Sequence, residues 1–297
     1  MQDSKIDVGT DMELNNAQRL QLPWSIKKVI LWGISYMVIV IVVSWLFHLL
    51  IIHLNHFNQW DLKFRDLLHI TETYPVLVLI FAFLAFLKWQ CKKVNLSFRT
   101  IWGSIYHVTQ VRYILFAFVL GAIKSLLWAG KIVNFGNPPQ YSSAVIVYGQ
   151  IIVGGLLGPF REELYFRGVL YRILRKRNDS IISTLISALI FSAFHVLGTD
   201  LTGLFFIFFS GVVTAFLAEH TNSLTASFIY HSIGNLVSVV VFYDQRLSAL
   251  FQKGAKQCLN SLLPNRMQRM LRLRFQKIQG RLQSTKRMTM PVRALKL

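Results

Sequence analysis

The sequence predicts an all-α membrane protein, a polytopic bundle of about seven to eight transmembrane helices. Of the 297 residues, 54% are hydrophobic and only 15% are charged. An ordinary soluble domain carries roughly 25% charged residues, and the mean hydropathy of this chain is +0.46. Several apolar runs also approach the length of about 20 residues that a helix needs to cross a bilayer.

The first apolar run, residues 29–52, predicts an uncleaved membrane anchor. It follows a long polar stretch, and no small-residue cleavage site comes after it. Six further apolar segments predict additional spans: 74–87, 113–130, 142–157 continuing into a charged motif, 181–197, 201–218 and 224–242.

The net charge of +19 indicates contact with membrane surfaces. The positive residues lie beside or after apolar segments without a nucleic-acid-binding motif, so nucleic acid is not an expected partner. Residues 252–297 carry twelve Lys or Arg and no acidic residue. Seven crossings would place this tail outside, against the positive-inside rule. An eighth crossing or a re-entrant segment is therefore expected near 247–263, and the alternatives are a different number of spans or a truly external tail.

Ionisable side chains within the predicted spans are the main functional signal. Each costs roughly 2.5 to 3.5 kcal/mol at bilayer depth, so it normally faces the protein interior and has a partner. Glu163 and Arg167 are four residues apart with the acid first, which favours an intrahelical ion pair. Glu162 points about 100° away from Glu163. It has no partner at that spacing in its own helix, so the two acids are expected to face different surroundings.

Three more polar groups lie in later spans. His231 and Asn235 are four residues apart and share one helix face, as do Phe191 and His195. Lys124, in the third predicted span, is expected to snorkel to the interface or to pair locally.

These residue types together can hydrolyse a peptide bond. A carboxylate can take a proton from water as a general base, and an imidazole can position that water or transfer a proton. Carboxamide and imidazole N–H groups can stabilise the oxyanion that forms when water attacks an amide. Because no serine or cysteine stands out beside a histidine, the sequence favours direct attack by water within the membrane.

The three motifs together resemble the CPBP family of intramembrane proteases, also called the Abi or CAAX-protease-like family. The motifs are Glu162-Glu163-x-x-x-Arg167, then Phe191-x-x-x-His195, then His231-x-x-x-Asn235. The resemblance covers about residues 145–242 and implies an intramembrane endopeptidase, with eight membrane helices as is usual in that family.

The resemblance also implies a role for each motif residue. Glu162 would be the base that activates water, and His195 its partner. His231 and Asn235 would contact the transition state and its oxyanion. Glu163 and Arg167, with Phe191, would mainly organise the site.

A metal-dependent mechanism is the alternative that the resemblance leaves open. Glu162, His195 and His231 would be the three ligands of a zinc ion that holds water in its fourth position. The sequence has no HExxH motif, and a carboxylate mechanism needs no metal. No cofactor is therefore expected to be required.

The predicted organisation has four parts, which are 1–28, a polar segment; 29–141, N-terminal transmembrane helices; 142–245, the CPBP-like catalytic core; and 246–297, a basic tail. The tail has apolar residues at helical spacing and can lie on anionic lipid, or it can be a disordered solvated tail. The expected location is the cell membrane, as a multi-pass protein. The expected partners are the bilayer, anionic lipids at the tail and a membrane-bound protein or peptide substrate.

Two other functions use the same residues. A non-catalytic membrane protein for bacteriocin self-immunity, or a scaffold, would need them only as a polar core. A proton-coupled transporter would use Glu162 and His195 as a relay. A transporter would more readily show paired half-sequences or broken helices at matching positions, and the sequence shows neither.

Overall fold

The computed structural model of the protein describes residues 22–57, 64–103, 108–135 and 144–243, and all regular structure in these ranges is helical. The all-α fold class is therefore confirmed. The first half contains α1 (Ile26–Phe57), α2 (Phe64–Lys92), α3 (Phe98–Trp102) and α4 (Val108–Phe135).

Residues 144–174 form one unbroken helical segment, here called the glutamate helix. It consists of α5 (Ala144–Gln150), a π-helical stretch (Ile151–Leu157), α6 (Gly158–Glu163), a second π-helical stretch (Leu164–Tyr171) and α7 (Arg172–Leu174). The junction residues keep right-handed helical backbone angles, so the chain does not break between these parts. The expectation that the run 142–157 continues into the charged motif as a helix is confirmed for the described residues. π-Helical turns are rare and frequently occur at functional sites.

Side-chain caps fix the N-terminal ends of the next two helices, α8 (Ser180–Ala193) and α9 (Leu201–Thr221). The Asp179 side chain accepts a hydrogen bond from the Ile182 amide at 2.8 Å, and Asp200 accepts one from Gly203 at 2.7 Å. Such carboxylates satisfy amides that have no partner in the first helical turn. Asn222 adopts a left-handed conformation with φ 48° after α9, and α10 (Thr225–Tyr243) follows.

Three helices of the described chain are long and apolar enough to span a membrane: Ile26–Leu54, Thr73–Lys92 and Leu201–Thr221. They coincide with the first, second and sixth predicted spans. The fifth corresponds to a shorter apolar helix, Ser180–Ala193. The total number of crossings stays a prediction. The proposed eighth crossing and the basic tail lie outside the described residues.

The N-terminal helices pack directly against the glutamate helix. The Tyr165 hydroxyl donates a hydrogen bond to the Val29 carbonyl at 2.7 Å, and its ring lies 5.7 Å from that of Phe83. Val29, Phe83 and Tyr165 belong to one buried apolar cluster. The predicted division of the chain near residue 142 stays a prediction.

α10 carries the last predicted motif and packs closely on α4. A Cβ atom at Gly121 of α4 would lie 2.6 Å from the Tyr230 carbonyl oxygen, so the two backbones approach where no side chain intervenes. The Ser125 hydroxyl donates to the carbonyl of Gly234, which joins the same two helices. α10 also contacts the first π-helical stretch, so the His231 motif lies beside the glutamate helix.

Candidate active site

Glu162 lies at the centre of the predicted site. One carboxylate oxygen, Oε1, accepts a hydrogen bond from Nη2 of Arg161. The other, Oε2, lies 3.9 Å from Nε2 of His195 and 3.7 Å from Nε2 of His231. At the four-residue spacing Glu162 has no ionic partner, as expected, but it pairs with the adjacent residue. Adjacent side chains diverge by about 100° on a helix, but the long Arg161 side chain reaches back to its neighbour.

The hydrogen bonds of the two histidines determine which ring nitrogen faces Glu162. His195 Nδ1 lies 2.8 Å from the Phe191 carbonyl oxygen, and His231 Nδ1 lies 2.8 Å from Oε1 of Glu163. Carbonyl and carboxylate oxygens only accept hydrogen bonds, so each Nδ1 carries the proton in the neutral ring. Both Nε2 atoms then present a lone pair towards Glu162, which suits them to accept hydrogen bonds from water.

Glu163 occupies a different environment, although it is the next residue. Its side chain is 0% exposed and lies 3.5 Å from Nε of Arg167, whose side chain is also 0% exposed. Arg167 Nη2 donates to the Gly211 carbonyl of α9 at 3.1 Å. The structure thus contains the ion pair that the four-residue spacing predicts. Glu163 additionally holds His231, a contact that the spacing does not predict.

Phe191 links the charged groups. Its ring is buried and lies 4.8 Å from the ring of His195 and 5.8 Å from that of His231. The Arg167 guanidinium carbon lies 4.4 Å from the same ring, within the range of a cation–π contact. His195 itself lies in the turn after α8, which ends at Ala193, and the bond to the Phe191 carbonyl fixes its ring.

Asn235 has one N–H already engaged. Its Nδ2 donates to the Gly154 carbonyl at 2.9 Å, in the first π-helical stretch. A carboxamide has two N–H donors, so the second remains for an oxyanion.

The four residues predicted to be catalytic line one cavity of about 420 Å³, namely Glu162, His195, His231 and Asn235. The structure therefore brings together side chains from the glutamate helix, the turn after α8 and α10. Glu163 and Arg167 do not line this cavity and lie behind it. The catalytic roles of these residues stay predictions.

Three polar side chains near Glu162 were not assigned to the site from the sequence. Arg161 and Lys124 line the cavity, and the Tyr36 hydroxyl of α1 accepts a hydrogen bond from Nη1 of Arg161 at 2.7 Å. Arg161 directly precedes Glu162 in the sequence, so a contact between the two side chains could have been predicted from their positions. Nothing in the pattern points to Tyr36, which is 125 positions away from Arg161.

Two observations disfavour the zinc alternative, which stays a prediction. In the part of the chain that the structure describes, no group of three His, Cys, Asp or Glu side chains is placed to hold a metal ion. The Arg161 guanidinium already binds the Glu162 carboxylate. A second cation on the same carboxylate would be repelled by this fixed positive charge.

Residues 144–237 match the family model described as type II CAAX prenyl endopeptidase Rce1-like. All three motifs lie inside this range, and the match confirms the resemblance to the CPBP, or CAAX-protease-like, family. At family level, the Rce1-like domain supports a CAAX-protease-like intramembrane endopeptidase, which is a hydrolase. Together with the apolar helices, it indicates an integral membrane protein. Comparisons with curated proteins and with solved structures gave no match.

Proposed function

We propose that the protein cleaves peptide bonds of membrane-associated proteins or peptides, with Glu162 as the base that activates water. One observation carries this proposal: Oε2 of Glu162 faces Nε2 of His231 at 3.7 Å and Nε2 of His195 at 3.9 Å, in a cavity that Asn235 also lines. Separations of this size exceed a direct hydrogen bond and suit a bridging water.

The water would donate one hydrogen to Glu162 and the other to an imidazole Nε2. These two bonds orient the remaining lone pairs of the water towards a bound peptide. Arg161 contributes to this orientation because it occupies Oε1 and leaves Oε2 for water. Positioning of this kind is a large part of enzymatic rate enhancement.

The chemical step then follows. Glu162 takes a proton from water as the water oxygen bonds to the peptide carbonyl carbon, and the carbonyl oxygen becomes an oxyanion. The free N–H of Asn235 is the donor proposed to stabilise this charge. The tetrahedral species collapses, the C–N bond breaks, and the leaving nitrogen takes the proton held by Glu162. The products are a carboxylic acid and an amine, and no acyl-enzyme forms.

The proposed substrate is a prenylated protein or peptide with a CAAX end, the class in the description of the matched family model. We further propose that the chain crosses the cell membrane several times and that its basic tail contacts anionic lipid. Abi-type roles and bacteriocin immunity remain alternative proposals, as does transport. A zinc-dependent reaction through Glu162, His195 and His231 is the alternative mechanism.

The test uses purified full-length protein and a fluorescent, farnesylated peptide ending in Cys-aliphatic-aliphatic-Ser. Glu162→Gln should lower the cleavage rate by about 10³-fold, within the range for loss of a general base. Glu219→Gln is the matched control, because Glu219 is also paired with an arginine, Arg175, but lies outside the cavity. The control should cleave at the rate of the wild type.

The alternatives give different results in this test. A scaffold or immunity protein would show no cleavage in any variant, and its phenotype would survive the Glu162→Gln substitution. A transporter would lose proton-coupled flux in proteoliposomes when Glu162 is replaced. Cleavage that survives Glu162→Gln would refute the proposed base.

A further inference from the structure

Lys124 of α4 lines the same cavity as Glu162, His231 and Asn235. The sequence predicts that this lysine snorkels to the interface or pairs locally. In the structure it lies over the Tyr230 ring and against the proposed site. Lys124 also lies outside the matched domain of residues 144–237, so the family match assigns it no role.

Charge balance makes this lysine unusual. The carboxylate of Glu162 is neutralised by Arg161, and that of Glu163 by Arg167. Among the described residues, none of the ion pairs within 4.0 Å involves Lys124. The centre of the Tyr230 ring lies 5.4 Å from Nζ. In and behind the cavity, the described residues thus supply three cations, Arg161, Arg167 and Lys124, for the two carboxylates, which also attract Lys124 electrostatically. Cations in membrane helices are expensive and normally have an anionic or polar partner.

The end of the lysine side chain packs closely on Gly234. A Cβ atom at residue 234 would lie 3.0 Å from Nζ, 3.1 Å from Cδ and 3.3 Å from Cε of Lys124. A side chain at this position would displace the end of the lysine by a few tenths of an ångström, so Gly234 lets the lysine lie close against α10. Gly234 directly precedes Asn235, so the ammonium group lies beside the residues that would bind the reacting peptide bond.

We propose that Lys124 forms a carboxylate-binding subsite for the peptide substrate. This inference rests on the proposed function and names the substrate group that the cavity recognises. The carboxylate has two sources in a peptide, namely the C-terminal α-carboxylate and the side chain of Asp or Glu. In either case the carboxylate lies within a few residues of the bond that is cut, because Lys124 and Glu162 line one cavity.

Lys124 has one competing role in the reaction, as a donor to the oxyanion. The two roles separate kinetically. A subsite for a substrate carboxylate affects peptides that carry the carboxylate and spares those that lack it. A donor to the oxyanion acts on every peptide, because the oxyanion forms at each bond that is cut.

The experiment compares three forms of the farnesylated peptide: the free acid, the C-terminal amide, and an amide with Asp as its last residue. The wild type should bind one carboxylate-bearing form more tightly than the plain amide. The free acid identifies the α-carboxylate as the ligand, and the Asp amide identifies a side-chain carboxylate. Equal affinity for all three forms would overturn the proposal without any variant.

Lys124→Met then tests the residue. It should raise KM about tenfold to a hundredfold for the preferred carboxylate form, as expected for loss of a hydrogen bond to a charged group. It should leave the plain amide unchanged. Lys93→Met is the matched control, because that exposed lysine lies over Trp89 and away from the cavity. An equal loss of kcat on all three peptides, or no change on any of them, would overturn the subsite.

Binding separates this inference from the proposed function. Fluorescence anisotropy with the Glu162→Gln protein measures the affinity for each peptide without cleavage. Addition of Lys124→Met to that protein should weaken only the preferred carboxylate form. If the wild type cleaves none of the peptides but this difference in affinity persists, the proposed reaction fails and the subsite stands.

Discussion

Glu162 and Glu163 are adjacent, and each has an arginine and a histidine beside it, yet their surroundings differ. The Glu162 side chain is 15% exposed and faces the cavity, whereas that of Glu163 is 0% exposed and faces the protein interior. His231 lies between the two acids, with Nδ1 towards Glu163 and Nε2 towards Glu162. One step along a helix therefore separates a carboxylate that can meet water from one that can only hold other residues.

The two arginines beside these acids have different roles in the site. On the Glu163 side, the carboxylate, Arg167 and the Gly211 carbonyl lock the glutamate helix to α9 and set the direction of the His231 ring. On the Glu162 side, Arg161 engages one oxygen only and leaves the other to the cavity. We expect changes behind the cavity to affect stability most, and changes within it to affect catalysis most.

The largest expected effect on stability is that of Arg167→Met. Removing the arginine leaves the Glu163 charge buried without its ion-pair partner, which typically destabilises a protein by about 3 to 5 kcal/mol. The yield of folded protein and the cleavage activity should both fall, and thermal unfolding in detergent measures the first. Arg177→Met, at an exposed position, is the control and should unfold like the wild type. A fully stable but inactive Arg167→Met protein would move Arg167 into the catalytic set.

Arg161→Met should affect catalysis more than stability. Loss of the guanidinium frees Oε1 and removes the positive charge that favours the ionised carboxylate, so activity at neutral pH should fall roughly tenfold to a hundredfold. Activity needs ionised Glu162 and is lost as the pH falls. In this variant the loss on the acid side should therefore occur at a higher pH than in the wild type.

A pH–rate profile of the wild type, Arg161→Met and Arg161→Lys measures this effect. Lysine keeps the positive charge, so in Arg161→Lys the activity should fall at a pH close to that of the wild type. If activity fell at the same acidic pH in all three proteins, Arg161 would have no influence on the ionisation of Glu162.

Tyr36→Phe should give a smaller change of the same kind. It removes the hydroxyl that accepts a hydrogen bond from Arg161 at 2.7 Å but keeps the ring, which lies 5.0 Å from the guanidinium. We expect a roughly twofold to tenfold loss of kcat, in line with the net value of one hydrogen bond. A loss as large as that of Glu162→Gln would mean that α1 does more than hold Arg161.

The smallest expected effect is that of a chelator. If carboxylate and imidazole are sufficient, incubation with EDTA or phenanthroline should leave the turnover of the wild type unchanged. Reversible loss of activity that zinc restores would favour the metal-dependent alternative and keep Glu162, His195 and His231 as site residues.

The sequence predicted the parts of the fold and site that depend on local spacing. Hydropathy indicated the helical class, and the four-residue spacing placed Glu163 next to Arg167 and His231 on one face with Asn235. Contacts between distant helices left no such signal. The bond from Arg161 to Tyr36 and the approach of Lys124 to Gly234 depend on how α1 and α4 pack, which apolar periodicity does not specify. The π-helical stretches were not predicted either, because the spacing of the motif residues is equally compatible with an ordinary α-helix.

The central claim, that Glu162 activates water and Glu163 supports the structure, is tested most directly by measuring two variants side by side. Cleavage of the farnesylated peptide and thermal unfolding are recorded for Glu162→Gln and Glu163→Gln under the same conditions. We predict that Glu162→Gln unfolds like the wild type but does not cleave. Glu163→Gln should unfold at a lower temperature while each folded molecule keeps cleavage within about tenfold of the wild type. The reverse pattern, with cleavage by Glu162→Gln and a stable but inactive Glu163→Gln, would contradict this claim.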